Sequence, residues 1–325
     1  MSKISVLMSV YNEPIDWISE SIRSIAEQDI TEHNIQLIVI VDNPSKRSEL
    51  ETFFESFYEE VKHLRGSSFE FICHYNIENI GLAKSLNKAF SLCDGDFIAR
   101  MDADDISNKN RFSEQIKYIV ETNSDIIGSG IERVDEFGGS LGVSLLSHDF
   151  NDLKNHLGYK SICYHPTWLM KRHVFESING YRPYPNSQDL DFLIRAVEAG
   201  YTVRNAPLVL LKYRLNDNSL SFKKSLRQRK CQEHILKLAT ARSAKGKDSY
   251  SEGDMHRYIK SNKLYEYIHA HSQKNYVYGM NLIRKKHYSG FAYVVYSMIV
   301  SPMQSKYIFS LVANKLRKFK WIKQY

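Results

Sequence analysis

Three carboxylates fall within four positions at Asp102, Asp104 and Asp105, in the run Arg100-Met101-Asp102-Ala103-Asp104-Asp105. Carboxylates this close repel one another and are costly to desolvate unless a cation sits among them. A hard divalent ion, Mg²⁺ or Mn²⁺, held by one or two carboxylates plus the phosphate oxygens of a ligand fits this pattern. The competing reading is an acidic turn that caps the next helix. Two other strand ends carry polar groups: Asp42 closes the apolar run QLIVIV, and Ser9-Val10-Tyr11-Asn12-Glu13 closes the first strand. Asp42 has acceptors for a uracil or ribose, and Tyr11 offers a ring for stacking. Neither G-x-G-x-x-G nor G-x-x-x-x-G-K-[ST] occurs, so the glycine cradles of dinucleotide and P-loop sites are missing. A diphosphate bound here would be neutralised by a metal together with Lys84 or Arg100.

The elements that must position these groups alternate. Apolar runs predict strands over 4–10, 36–41, 69–74, 97–101 and 126–130, and apolar residues at helical spacing predict helices over 15–27, 46–64, 82–93 and 110–122. That alternation is the pattern of an open α/β sheet with helices on both faces, where ligands bind at the carboxyl ends of the strands. Beyond residue 130 the pattern loosens. Helices are predicted over 172–177 and 189–199, with Gly200 as the stop. Past about residue 218 nearly every segment is helix-compatible, which sets a boundary near residue 216, with one domain over 1–216 and a helical region over 217–325.

Composition bounds the possibilities. A chain of 325 residues, 43% hydrophobic and 25% charged, is neither disordered nor collagen-like. Its four cysteines are scattered without a C-x-x-C, which argues against a disulfide framework or zinc knuckle and for a reduced, cytoplasmic setting. The N-terminus does not resemble a signal peptide. The longest nearly apolar run, Phe291 to Val300, is about half of the ~20 residues a spanning helix requires, so no transmembrane helix is expected.

Charge divides the chain. Residues 1–200 hold 19 basic and 31 acidic side chains, and residues 201–325 hold 25 basic and 6 acidic. Lys and Arg interleaved with Tyr in the second part suit an anionic membrane surface. A helical bundle with its tyrosines packed inside is the plain alternative. Nucleic acid is not an expected partner, because the acidic first part would repel a polyanion and no reader motif occurs. His269 and His271 have no third ligand at metal-binding spacing and are expected at the surface.

Taken together, these residues resemble the family 2 glycosyltransferases, enzymes of the GT-A fold that use nucleotide-diphosphate sugars. The resemblance covers roughly residues 3–215. It is carried by SVLMSVYNEP, by Asp42 in IVIVDNPS, by Asn79-Ile80-Gly81-Leu82-Ala83-Lys84-Ser85-Leu86-Asn87, by the D-x-D at Asp102 and Asp104, and by His165-Pro166-Thr167, Gly180-Tyr181, Gln188-Asp189-Leu190-Asp191, Arg195 and Gly200. It implies that Ser9, Tyr11 and Glu13 line a nucleotide pocket with Asp42 on the uracil or ribose. It further implies Asp102 toward the ribose or sugar and Asp104 on the metal. Asp189, in a Gln-Asp pair where the family usually has Glu-Asp, would be the catalytic base, with a helix N-cap as its alternative role. His165 and Asp191 would belong to the acceptor region, Asp191 also being a lesser candidate for the base.

The implied reaction is inverting transfer of a hexose from a UDP-sugar to a lipid-pyrophosphate-linked acceptor, in assembly of a bacterial surface polysaccharide such as O-antigen or capsule. The implied place is the inner face of the cell membrane, peripherally bound. The absence of a processive Q-x-x-R-W signature favours one sugar per acceptor. A non-catalytic lipid- or polysaccharide-binding module on the same scaffold is the alternative from another class. A nucleotidyltransferase is a third, though SVYNEP is not its glycine- and lysine-rich phosphate turn.

Overall fold

A computed structural model describes residues 2–157, 162–215 and 225–322. The chain divides into two compact units, Met1–Asn216 and Asp217–Tyr325. The boundary expected at residue 216 itself lies outside the described residues, as does the side chain of Trp321 in the tail.

In the first unit, β1 (Ser2–Val10), β2 (His33–Val41), β3 (Phe69–Tyr75) and β4 (Phe97–Arg100) pair in parallel in the order β3-β2-β1-β4. Side chains alternate across a strand. Ile4, Val6, Met8 and Val10 of β1 and Ile35, Leu37, Val39 and Val41 of β2 therefore enter one core, while Leu7, Ile38 and Ile40 enter the other. Because both faces are buried, these strands are near-continuous apolar runs. The first core takes Ile18, Ile22 and Ile25 of helix α1 (Ile15–Ala26), Leu50, Phe54, Phe57 and Val61 of α2 (Arg47–Arg65), and Phe112 and Ile119 of α4 (Arg111–Thr122). The second takes Leu86 and Ala89 of α3 (Leu82–Ser91), Val174 and Phe175 of α6 (Arg172–Ser177), and Phe192, Leu193 and Ala196 of α7 (Gln188–Glu198). Each fully buried isoleucine or phenylalanine contributes roughly 1.5–3 kcal/mol of transfer free energy. An acidic residue at Ile22 would therefore detach α1.

The sheet continues past β4 through β8 (Leu169–Lys171), β6 (Ile126–Val134) and β9 (Val203–Arg214) to β5 (Ile106–Ser107), with β7 (Ser140–Ser144) against β6. β8 runs antiparallel to both of its neighbours. The sheet is thus mixed rather than wholly parallel. β6 is longer than its apolar core, and it pairs in parallel with β9 through register shifts at Ser129, Gly130 and Ile131. β9 carries Pro207, which has no N–H for a ladder. A short helix, α5 (Phe150–His156), precedes residue 158.

The second unit is helical: α8 (Ser225–Lys245), α9 (Glu252–Ile259), α10 (Lys263–Arg284), α11 (Gly290–Val300) and α12 (Pro302–Ile322). One expectation fails here. His269 is fully buried, its Nδ1 2.8 Å from Ser301 Oγ, and burial pushes its imidazole down to about 4. His271 is exposed. No helix among the described residues is long and apolar enough to cross a membrane.

Candidate active site

β4 ends at Arg100, and the acidic turn follows directly. Met101, Ala103 and Asp105 point inward, and Asp102 and Asp104 are half-exposed. Alternation thus sorts the three carboxylates. Asp105 Oδ1 accepts from the backbone N–H of Arg214 at 2.9 Å, and Oδ2 has no partner within the described residues. Burial, reinforced by Asp102 and Asp104, pushes its pKa well above the usual carboxylate range, and Asp105 serves the fold by holding the end of β9. Burial also raises Asp104 to about 7, with Asp102 and Glu13 adding to the effect.

The turn is clamped from three sides by residues that the sequence did not single out. Ser21 of α1 donates to the Asp102 carbonyl at 3.0 Å. Arg214, at the end of β9, donates through Nε to the Asp104 carbonyl at 3.0 Å and pairs with Glu20 at 2.6 Å, and its guanidinium lies 4.9 Å from the centroid of the Trp17 ring. Arg111, fully buried at the start of α4, donates to the Arg100 carbonyl at 2.8 Å. Burial pushes its guanidinium down to about 9. Nothing in local spacing marks Arg111 or Arg214, because both reach the turn from distant elements.

Arg100 differs from its expected role. Its side chain is 2% exposed and bonds to the Met101 carbonyl and to Asp102, so it does not reach outward toward a diphosphate. Its charge nevertheless acts on Asp104, His165, Tyr181 and Asp189.

At the first strand end, Tyr11 is exposed, Ser9 and Glu13 are half-buried, and Glu13 Oε2 accepts from the Tyr11 N–H at 2.6 Å. Asn43 ties this turn to the end of β2, donating to the Tyr11 carbonyl at 2.9 Å and to Asn12 Oδ1 at 2.8 Å. Asp42 is almost wholly buried. Its carboxylate accepts from Ile80 N at 2.9 Å, Gly81 N at 2.8 Å and Asn76 Nδ2 at 2.7 Å. In this structure those bonds fix the loop that opens α3, a role beside the contact to a uracil or ribose expected from the sequence. Gly81 has φ +82°, a conformation costly for any residue with a Cβ, and Lys84 follows, exposed in the first turn of α3.

The remaining residues come from the end of the unit. Asp189 is half-buried in the first turn of α7, and the residue at the cap position is Ser187, in the left-handed region at φ 62°. Burial raises the Asp189 pKa and the Asp102 charge adds to it, while backbone N–H groups and Arg100 oppose the rise. His165 Nε2 lies 2.8 Å from Tyr181 Oη, and its ring meets Trp168 edge-on at 4.7 Å. Burial pushes the imidazole well down, with Arg100 adding to this, so it is neutral at pH 7. Tyr181 senses Asp189, Asp102 and Arg100, and Tyr213 of β9 senses all three acids of the turn.

Asp191 is a correction. It is fully buried, with Oδ2 2.7 Å from Arg195 Nε and Oδ1 3.4 Å from Arg182 Nη1. Arg195 also donates to the Gly180 carbonyl at 2.7 Å. Asp191 therefore anchors the Gly180 turn to α7 and is not open to an acceptor.

Comparison with known proteins agrees with this architecture. The family described as glycosyl transferase family 2 matches residues 5–178. An uncharacterized glycosyltransferase of Methanocaldococcus jannaschii is 33% identical over 67% of this chain and 73% of its own. The UDP-Gal:alpha-D-GlcNAc-diphosphoundecaprenol beta-1,3-galactosyltransferase of Escherichia coli is 25% identical over 66% of this chain and 74% of its own. Among solved structures, S. aureus TarS 1-349 in complex with UDP-GlcNAc superposes with a TM-score of 0.54 at 15% identity, covering 83% of this chain and 80% of that one. That likeness concerns the fold alone, which is the GT-A fold. With that family model matched over more than half of its length and a glycosyltransferase 33% identical over two thirds of it, the chain belongs to glycosyltransferase family 2.

Proposed function

We propose that this chain moves a hexose from a UDP-sugar, of the UDP-glucose or UDP-galactose class, to a lipid-linked acceptor of the GlcNAc-pyrophosphate type, with inversion at the anomeric carbon. The observation that carries the reading is that Asp104 and Asp189, which arrive from different elements, share the same two charged neighbours, Asp102 and Arg100. A donor-side acid and a candidate base so coupled belong to one reaction centre. The Escherichia coli relative, whose name specifies a galactosyl donor and a GlcNAc-diphosphoundecaprenol acceptor, supports the substrate class.

Asp189 takes the proton of the acceptor hydroxyl as that oxygen attacks. Its raised pKa brings it toward the range in which a general base works at neutral pH. His165 and Tyr181, bonded to each other beside Asp189, form a neutral wall against which an acceptor sugar can lie. Tyr11 supplies an exposed ring for the base of the nucleotide. Asp42 and Gly81 hold the loop that opens α3, whose first turn bears Lys84, and its ammonium approaches the diphosphate. One base and no nucleophile implies inversion, so an α-linked donor gives a β-linkage.

The residues fit a divalent cation. Asp104 is half-exposed, pressed by Asp102 and Glu13, and among the described residues no cation stands as close to it as Arg100 does to Asp102. No group of three or more ligating side chains is gathered among the described residues, so the cation would draw on Asp104, with Asp102, and otherwise on phosphate and water oxygens. When bound, Mn²⁺ or Mg²⁺ supplies charge neutralisation for the departing diphosphate. The excess of basic residues in 201–325 supports work at the cytoplasmic face of an anionic membrane, where a lipid-linked acceptor in surface-polysaccharide assembly would reside.

The test is UDP release with Mn²⁺ across a panel of nucleotide sugars, with a GlcNAc-pyrophosphate-lipid analogue as acceptor, beside Asp104→Ala and Asp189→Ala. Acceptor-dependent release from one donor, lost in both variants, is the expected result. Binding of UDP without turnover of any donor would overturn the acceptor class and leave a binding module. Failure to bind UDP would overturn the transferase reading.

A further inference from the structure

The second unit packs its small residues inward and turns large apolar ones outward. α10 and α11 run antiparallel, with Ser272 Oγ donating to the Ser297 carbonyl at 2.8 Å and His269 meeting Ser301. A Cβ added to Gly279 would stand 2.6 Å from the Gly290 carbonyl oxygen, and one added to Gly290 would stand 2.4 Å from that of Gly279. The two backbones therefore touch. On the far side of α11, Phe291, Val295 and Ile299 recur every fourth residue and are 55%, 54% and 78% exposed. α11 contains no charged residue. A helix of a water-soluble bundle buries its large apolar stripe. This one buries glycine and serine, the arrangement of helices whose outer solvent is lipid.

The charge around this stripe selects among occupants. Arg284, Lys285 and Lys286 are all exposed at the tip between α10 and α11. From Tyr267 to the last residue there are ten Lys and Arg and no Asp or Glu. A second copy docked face to face would bring two such basic surfaces together, which is unfavourable. An anionic bilayer matches both the apolar stripe and the cations.

We propose that α11 docks into an anionic lipid bilayer, with Phe291, Val295 and Ile299 in the acyl boundary and Arg284, Lys285 and Lys286 on the lipid phosphates. At ~1.5 Å per residue its 11 residues extend about 16 Å, half of a ~30 Å hydrocarbon core, so the helix lies in one leaflet and does not cross. The inference deepens the proposed function and takes from it only the reason for a membrane to be near.

The test is flotation of the full chain with vesicles of phosphatidylcholine, with and without phosphatidylglycerol, at low and high salt. Binding to the phosphatidylglycerol vesicles that persists in high salt, and falls about tenfold or more in V295D/I299D, is expected. UDP affinity should be unchanged in that variant. No flotation would overturn the proposal, and so would flotation that high salt abolishes and V295D/I299D leaves intact, since surface charge alone would then explain it. A wild-type dimer that V295D/I299D makes monomeric, without vesicle binding, would assign the stripe to a second copy. Ile299→Cys carrying an environment-sensitive fluorophore, set against identically treated wild type, reads insertion without loading the helix with charge. A blue shift on adding vesicles is expected, and no shift overturns the insertion. None of these readouts involves sugar transfer, so a wrong donor or acceptor class leaves them unmoved.

Discussion

Partial burial, with the charges of Asp102 and Glu13 beside it, pushes the carboxyl of Asp104 up to about 7, against 3.8 for the free group. Its folded pKa is raised, so its contribution to stability is whole below about 4 and is lost as pH rises through about 7. The metal-free protein should therefore lose thermal stability across that window relative to Asp104→Asn, which lacks the titration; melting curves of both from pH 4 to 8 check it. A second outcome concerns Asp189→Asn, which keeps the shape and removes the proposed base. Turnover should fall about 10²–10⁴-fold with UDP affinity unchanged, read from steady-state kinetics beside equilibrium binding. At this scale the sequence is informative where chemistry is packed into adjacent residues, as in the acidic turn. It cannot disclose that Asp105 is buried against the end of β9, or that Asp191 is consumed by Arg195 and Arg182, because those pairings are made by folding.

The loop between β3 and α3 hangs on one carboxylate. Removing it in Asp42→Ala takes an acceptor from the half-buried N–H groups of Ile80 and Gly81 and from the buried amide of Asn76, and should cost about 1–3 kcal/mol in urea unfolding. Asp42→Asn, which keeps an acceptor, should cost less. The same contrast explains which elements were legible. β1 to β4 stand out as apolar runs because both of their faces are covered. α1, α2, α3 and α4 stand out because each buries one stripe. β5 and β8 have two and three residues and exist only through pairing with distant strands, so no local pattern announces them. β9 follows Gly200 with polar residues and Pro207 interrupting it, and its length depends on β6 as partner. His269 was misplaced for a related reason: its partner Ser301 lies in the break between α11 and α12.

The molecule comprises two compact units of opposite charge balance, so heat should melt them as two calorimetric transitions. UDP with Mn²⁺ should raise only the transition of Met1–Asn216, by about 2.7 kcal/mol of added stability at a hundredfold excess over its dissociation constant. A shift of both transitions would show that donor binding is coupled to the helical unit. The strand order has a consequence for biosynthesis as well. The four neighbours β3-β2-β1-β4 are all complete by Arg100, and a nascent chain can pair them before the rest is made. The next place in the sheet is reserved for β8, which is not synthesised until Lys171, so the edge of β4 stays open even though β6, on the far side of β8, is made earlier. During that interval the free edge of β4 is a template for any other strand in reach. A chain interrupted before β8 is therefore a seed for aggregation, while one carried past Lys171 has closed its own edge.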